Sequence, residues 1–336
     1  MPEILKRYDH DITKVSSNSG TARVRPVPLD YFFDYDHFNQ TMSSYCPQMK
    51  LHRSIHELYD QPSLLNPIKL TFESANIPRV NGVIDDPVVV PHRVQQFIDK
   101  QWPVEKRKAP VRFLMESSWW TWPTSMDGPL VARTFGRILL IREDVRRLAA
   151  SALLNMQKRY GIDMDPRKQA EDGHRSFVGI HMRTEMDVTD EIFPSYATQA
   201  AYYFDYISKL NSTLVFMATG ATHENITAFI EKAQDFNVTV VLKKDILEGE
   251  DLDLLNSLSW DQRALVDYEI MLRAGHIAGP SESSFTWNLA MRRGNAFIGP
   301  RTPDHSPPGN VQWQDRFSKI FGKSDRGKAM MRTIWP

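Results

Sequence analysis

The sequence predicts an α/β protein whose second half is a parallel sheet covered by helices on both faces. Three observations carry this expectation. From residue 177 onward, short apolar runs alternate with helix-length amphipathic segments, the pattern of repeated βαβ units and of a Rossmann-like domain. Just before that point, GIDMDPRKQAEDGHRS (161–176) is polar and aperiodic, which puts a domain boundary there. The chain has 336 residues, 41% of them hydrophobic, too long for one average domain and sufficient for two packed cores.

Taken in order, residues 1–28 form a polar lead-in rich in Ser, Thr, Arg and Pro, without periodicity. LDYFFDYDHFNQTM (29–42) is aromatic and acidic and begins a helix near Tyr35, and SIHELYDQPSLLNPI (54–68) reads as a short helix stopped by Pro62. Val88 to Val90 and Val111 to Met115 read as strands, separated by the helix HRVQQFIDKQW (92–102). SSWWTWP (117–123) holds three tryptophans in four positions, either a stacking surface for a sugar or packing between layers. The strongest helix of the first half covers 142–160, where Ile141, Val145, Leu148, Ala149, Leu153 and Met156 share one face.

In the second half, FVGIHM (177–182), TLVFMAT (213–219), NVTVVLK (237–243), HIAG (276–279) and AFIG (296–299) read as strands. Helices are expected over 195–210, 222–236, 260–274 and 284–293. A Pro-rich stretch (300–308) ends the alternation, and VQWQDRFSKIF (311–321) is expected to form one amphipathic helix. The expected domains are therefore 29–164 and 165–300, with a loop and helix over 301–336.

Lysine plus arginine equals aspartate plus glutamate, 41 each, which argues against bulk electrostatic gripping of nucleic acid or of an acidic membrane. Cys46 is the lone cysteine, so an intrachain disulfide framework and a cysteine-based zinc site are excluded. The opening residues lack the apolar core of a signal peptide, and no run is long enough to span a bilayer. Asn-x-Ser/Thr sequons at Asn39, Asn211, Asn225 and Asn237 give a mild hint of the secretory route.

The chemistry concentrates in two stretches. FVGIHMRTEMD (177–187) is a buried-strand pattern ending in His181, Arg183, Glu185 and Asp187, and ligands of open α/β sheets bind at the carboxyl ends of strands. The competing reading makes Arg183 and Glu185 an exposed ion pair and His181 an ordinary loop residue. In DYEIMLRAGHIAGPSESSFTWNLAMRR (267–293) a strand leads into Ser283, suited as a helix N-cap, and a hydroxyl-rich helix start, an arrangement that can hold an anion or simply cap a helix. No G-x-G-x-x-G occurs, and Gly322-Lys323-Ser324 lacks the first glycine of a phosphate loop, Phe317 standing in its place. The Asp-x-Asp pairs Asp34/Asp36, Asp163/Asp165 and Asp251/Asp253 read as loop carboxylates rather than as holders of a divalent cation. His52 and His56 lack the intervening glutamate of a zinc helix, since Arg53 occupies that position.

His181-x-Arg183-x-Glu185-x-Asp187, Ala218-Thr219-Gly220, Leu265-Val266-Asp267-Tyr268 and Ser283-Ser284-Phe285-Thr286 followed by Arg293, in that order, resemble the GDP-fucose protein O-fucosyltransferase superfamily, particularly its fungal branch. The similarity covers about 176–300, with a weaker match at VPLDYFFDYDHFN (27–39). The resemblance implies a GT-B-like fold of two Rossmann-like domains, the second binding the donor. It implies an inverting, metal-independent transfer of fucose from GDP-fucose to a hydroxyl of a protein or glycan acceptor, with no cofactor. Carried over by position, Arg183 contacts the diphosphate and is the catalytic residue, His181 and Asp267 contact the nucleoside end, and Ser283, Ser284, Phe285 and Thr286 form the phosphate-side loop. The family's opening Gly-rich segment ending in Asn-Gln has no counterpart before Leu29, so the first domain is expected to be incomplete and the catalytic base is unassigned, with Glu116 a fallback. The alternatives are a nucleotide-sugar-binding protein without transfer activity and a transferase using another sugar nucleotide. The family implies the ER or Golgi lumen; the visible sequence is equally compatible with the cytoplasm.

Overall fold

The computed structural model describes residues 6–7, 25–53, 57, 66–80, 83–107, 111–115, 135–164, 176–185, 192–210, 212–293 and 311–322. The tryptophan cluster, Glu116, Asp187 and the expected strand at 296–299 lie outside them. The chain divides into two compact units, residues 1–123 with 137–142, and residues 124–136 with 143–336.

In the first unit, α1 (Tyr35–Tyr45) starts where Asp34 accepts the His37 N–H at 3.0 Å, so the aromatic-acidic stretch does open a helix. Strand β1 (Ile68–Leu70), helix α2 (Val90–Gln101) and strand β2 (Phe113–Met115) follow, and β1 pairs in parallel with β2 with Ile68 opposite Phe113. This is one βαβ unit over a small core of Leu70, Ala75, Ile77, Ile84 and Phe97. The strand expected at 88–90 is instead a 3₁₀ turn, Pro87–Val89, running into α2. Asp86 accepts the Val88 N–H at 2.9 Å, and Pro87 presets a helical φ; this start signal outweighs the β preference of three valines.

The second unit contains α3 (Glu143–Tyr160), β3 (Val178–Met182), α4 (Tyr196–Ile207), β4 (Leu214–Thr219), α5 (His223–Gln234), β5 (Thr239–Val241), α6 (Lys243–Ile246), α7 (Gly249–Ser257), α8 (Trp260–Met271), β6 (His276–Pro280), α9 (Ser284–Arg293), β7 (Val311–Gln314) and β8 (Ser318–Phe321). The sheet order is β7-β8-β6-β3-β4-β5, parallel throughout except for the antiparallel edge strand β7. The predicted α/β class thus holds, with a six-stranded central sheet. Strands β3 and β4 are buried along nearly their whole length, as a sheet covered on both faces requires.

Helix α3 was expected to close the first half, yet it belongs to the second unit. Its buried face of Val145, Leu148, Ala152, Leu153 and Met156 packs on α8. Two polar ties secure it: Asn155 Nδ2 donates to the Ile246 carbonyl at 3.0 Å and Arg159 to the Asp245 carbonyl at 2.7 Å. The amphipathic helix expected over 311–321 is a hairpin. Asp315 accepts the Phe317 N–H at 2.8 Å and the Trp313 indole N–H at 3.2 Å, and donates its own N–H to the Ser318 carbonyl at 3.0 Å. Beyond this local turn, β8 gains a ladder on β6, whose backbone groups on that side would otherwise be unpaired. Among the described residues no helix is long and apolar enough to cross a membrane.

Candidate functional site

From β3 the chain moves through β4 and β5 on one side and returns to place β6 on the other. The carboxyl ends of β3 and β6 therefore flank a topological switch point, the place where open α/β sheets bind ligands. Both motif stretches of the second half arrive there.

His181 lies inside β3, not in a loop, and is buried. Its Nδ1 is 3.0 Å from the Thr286 hydroxyl and its ring is tilted against Phe285 with centroids 4.5 Å apart. Phe285 in turn meets Tyr268 edge-on at 5.6 Å, and the Tyr268 hydroxyl donates to Asn288. Burial, assisted by the Arg183 charge, holds the His181 pKa down to about 3, so the imidazole works as a neutral hydrogen-bonding group at neutral pH. Gly279 permits the approach of α9 to β6, since a Cβ there would sit 2.4 Å from the Thr286 hydroxyl oxygen.

Arg183 follows directly after β3. Its main chain is gripped by Gln199 of α4, which accepts the Arg183 N–H at 3.0 Å and donates to the Arg183 carbonyl at 2.8 Å and to the Pro194 carbonyl at 2.7 Å. The guanidinium lies 5.6 Å from the Trp260 ring centroid and 5.9 Å from that of Phe193, and Nη1 donates to Glu185 at 2.5 Å. The other Glu185 oxygen accepts the Gly220 N–H at 2.7 Å, tying the end of β3 to the end of β4. The anticipated ion pair is real but not exposed: the two side chains retain 18% and 11% of their accessible surface.

Asp267, on α8, is 3% exposed. Its Oδ2 accepts from Lys243 Nζ, while its buried Oδ1 has no hydrogen-bond partner. Burial pushes its pKa up to about 6 against the opposing pull of Lys243 and Arg263, with Glu185 adding to the rise. Trp260 and the start of α8 are fixed by a capping box in which Ser259 and Gln262 exchange bonds of 3.1 and 3.3 Å.

At the β6 end, Ser283 occupies the position expected of an N-cap, its carbonyl accepting the Trp287 N–H at 3.2 Å. Ser283 is buried, Ser284 exposed, Phe285 half-buried and Thr286 buried. Trp287 locks the turn by donating its indole N–H to the Ser281 carbonyl at 2.7 Å. Arg293 lies at the far end of this helix, donating to the carbonyls of Ala274 and Gly275, and supports the fold rather than the strand-end cluster.

The structure thus brings His181, Arg183, Asp267, Phe285 and Thr286 to one end of the sheet. Gly220, from the Ala218-Thr219-Gly220 motif, joins them, as do Gln199, Lys243 and Trp260, which were not singled out in the sequence. A usable signal existed for Gln199, a lone amide among the apolar residues of its helix. Three of the Asp-x-Asp residues serve structure: Asp34 caps α1, Asp36 pairs with Arg53 and Asp251 with Arg147, while Asp165 lies outside the described residues. His52 pairs with Glu57 at 3.0 Å. Among the described residues no group of three or more His, Cys, Asp or Glu is arranged to hold a metal ion. A separate hollow of about 410 Å³, lined by Phe72, Glu73, Asn76, Ile77 and Arg79, belongs to the first unit.

No protein-family model matches the chain, and no curated protein matches it. Among solved structures, it is similar to that of a mutant of the Arabidopsis thaliana fucosyltransferase FUT1 in complex with GDP, at 12% identity and a TM-score of 0.35, over 75% of this chain and 55% of that one. The chain therefore spans about 55% of the length of that neighbour.

Proposed function

We propose that the second unit binds a nucleoside diphosphate sugar at the β3–β6 switch point, and that the chain is a GT-B transferase moving fucose from GDP-fucose to a hydroxyl acceptor with inversion. The observation that carries the reading is the convergence of an oriented arginine with a hydroxyl-bearing helix start at adjacent strand ends. Together they supply a delocalised cation and N–H and O–H donors for a diphosphate. In the reaction, the oxygen of an acceptor hydroxyl forms a bond to the anomeric carbon, the bond from that carbon to the phosphate oxygen breaks, GDP departs, and the hydroxyl proton passes to the departing diphosphate or to solvent. Arg183, held by Glu185 and Gln199, stabilises the negative charge that grows on the departing diphosphate. Asp267 accepts N–H groups at the nucleoside end, His181 backs the phosphate-side loop through Thr286, and no metal is required. The four-motif order supports fucose as the sugar, and ER or Golgi residence goes with that assignment.

A second reading has its own observation. Two carboxylates of the cluster are tied to cations, Glu185 to Arg183 and Asp267 to Lys243, and His181 is neutral and engaged with Thr286. That arrangement suits donor binding, and none of these three groups is a ready base, so the reading is a nucleotide-sugar-binding protein without transfer. Calorimetry with GDP, UDP and ADP, followed by a transfer assay with GDP-fucose and mixed peptide and glycan acceptors, tests both. GDP binding with turnover supports the transferase, and GDP binding without turnover supports the binding protein. Absence of GDP binding removes both.

A further inference from the structure

Asp267 is a buried acid of this cluster, and the groups around it are asymmetric. Lys243 holds Oδ2, while Oδ1 faces no hydrogen-bond donor. A buried carboxylate oxygen without a donor is costly unless a ligand supplies one. Lys243 reaches this place because three elements fix it. It follows β5 at the carboxyl edge of the sheet and opens α6, whose turn is closed by the Leu242 N–H donating to Asp245 at 2.9 Å. That turn is in turn pinned to α3 through Asn155 and Arg159. The other charges acting on Asp267 are Arg263, on its own helix, and Glu185 beyond β3.

Resting on the nucleotide reading above, we propose that Lys243 is a positioning residue that determines base specificity: it holds Asp267 ionised and rotated so that Oδ1 is presented to N–H donors of the nucleobase. A carboxylate with one oxygen occupied accepts from a base edge carrying N–H groups, as guanine does, and rejects one that offers carbonyl oxygens there. Lys243 itself touches no phosphate. Because burial favours the protonated acid, loss of the ammonium would leave Asp267 neutral near physiological pH.

The test is GDP affinity by calorimetry across pH on the full chain, with pyrophosphate as a probe that has no base. The wild type should keep constant affinity above about pH 7 and lose it as pH falls through the Asp267 pKa of about 6. In Lys243→Met that loss should move upward, cutting GDP affinity at least about tenfold at about pH 7.5, which takes a displacement of about two and a half pKa units or more from about 6. Pyrophosphate affinity should not change. Lys243→Arg, which keeps the charge, should restore the wild-type profile. Should Lys243→Met not fold, the cycle is run in an Asp267→Asn background, where both charges are removed. There Lys243→Met should leave nucleotide affinity unaltered, and Asp267→Asn alone should favour xanthosine diphosphate over GDP. A Lys243→Met protein with the wild-type pH profile, a drop in pyrophosphate affinity, or a further loss in the Asp267→Asn background would each overturn the assignment. A wild type that binds no GDP at any pH sinks the nucleotide reading itself, a result distinct from these.

Discussion

Replacing Arg183 with alanine separates the proposed binding role of this residue from its structural one. The guanidinium donates to Glu185 at 2.5 Å, and the pair is largely buried. Removing one member of a buried pair costs roughly 3–5 kcal/mol. Here the residual exposure and the Gly220 N–H that still serves Glu185 bring the expected loss of folding stability to about 2–3 kcal/mol. For GDP, loss of a charged hydrogen bond to the diphosphate predicts about 1.5–3 kcal/mol, or roughly 10- to 150-fold in Kd. The double variant Arg183→Ala/Glu185→Ala distinguishes the two effects, because it removes the stranded carboxylate. Its melting temperature should recover much of the loss while its GDP affinity stays low. Arg183→Lys should recover little of the affinity, since an ammonium cannot grip two oxygens in a plane. Calorimetry below the melting transition reads the affinities. Wild-type GDP affinity in Arg183→Ala, with the fold intact, would remove the diphosphate clamp from this account.

Three further outcomes are expected. Gly220→Ala would put a Cβ 2.8 Å from a Glu185 oxygen and 3.2 Å from the Trp260 indole nitrogen, so it should lower stability by about 1–3 kcal/mol and weaken GDP binding along with it, as melting and calorimetry on the same preparation would reveal. The His181 pKa is depressed from 6.5 to about 3, so between those values the unfolded chain takes up a proton the folded one refuses, and stability present above 6.5 is lost on acidification. Asp267, raised from 3.8 to about 6, acts with the opposite sign between those values. His181→Gln should therefore lose less stability than the wild type between about pH 7 and about pH 5 in denaturant titrations, and an equal loss would refute the buried neutral imidazole. Finally, EDTA should leave GDP affinity unchanged; loss on chelation that Mn²⁺ restores would move the chemistry to a metal-dependent mechanism.

The second half was legible because its elements repeat one simple physical pattern. Buried strands such as 178–182 and 214–219 read as continuous apolar runs, and each following helix opens with a recognisable cap, Ser195, Thr222 or Ser259. Where the reading failed, distant partners decided the outcome. The segment 311–321 has enough polar residues for an amphipathic helix, but the open side of β6 makes a strand of it. At 88–90 the β-branched run lost to a start signal only two residues away. Lys243 read as the end of a strand and drew no attention, because its role depends on Asp267, 24 positions further on.

The topology also revises how the hydroxyl-rich loop can serve a phosphate. Sequence alone treats Ser283, Ser284, Phe285 and Thr286 as one binding segment. In the fold, the Thr286 hydroxyl meets His181 across 105 positions of sequence, and Phe285 fills the space between His181 and Tyr268. These two residues therefore form the floor that joins β3, α8 and α9, and Ser284 is the exposed hydroxyl at the helix start. A neutral His181 fits that floor, because a buried imidazolium would repel Arg183 and compete with it for the same anion. Under the proposed reading, the charge offered to a diphosphate comes from Arg183, and the helix start adds neutral donors. In such a division the arginine governs affinity for the charged group, while the loop, rigid through its own packing, fixes where that group sits.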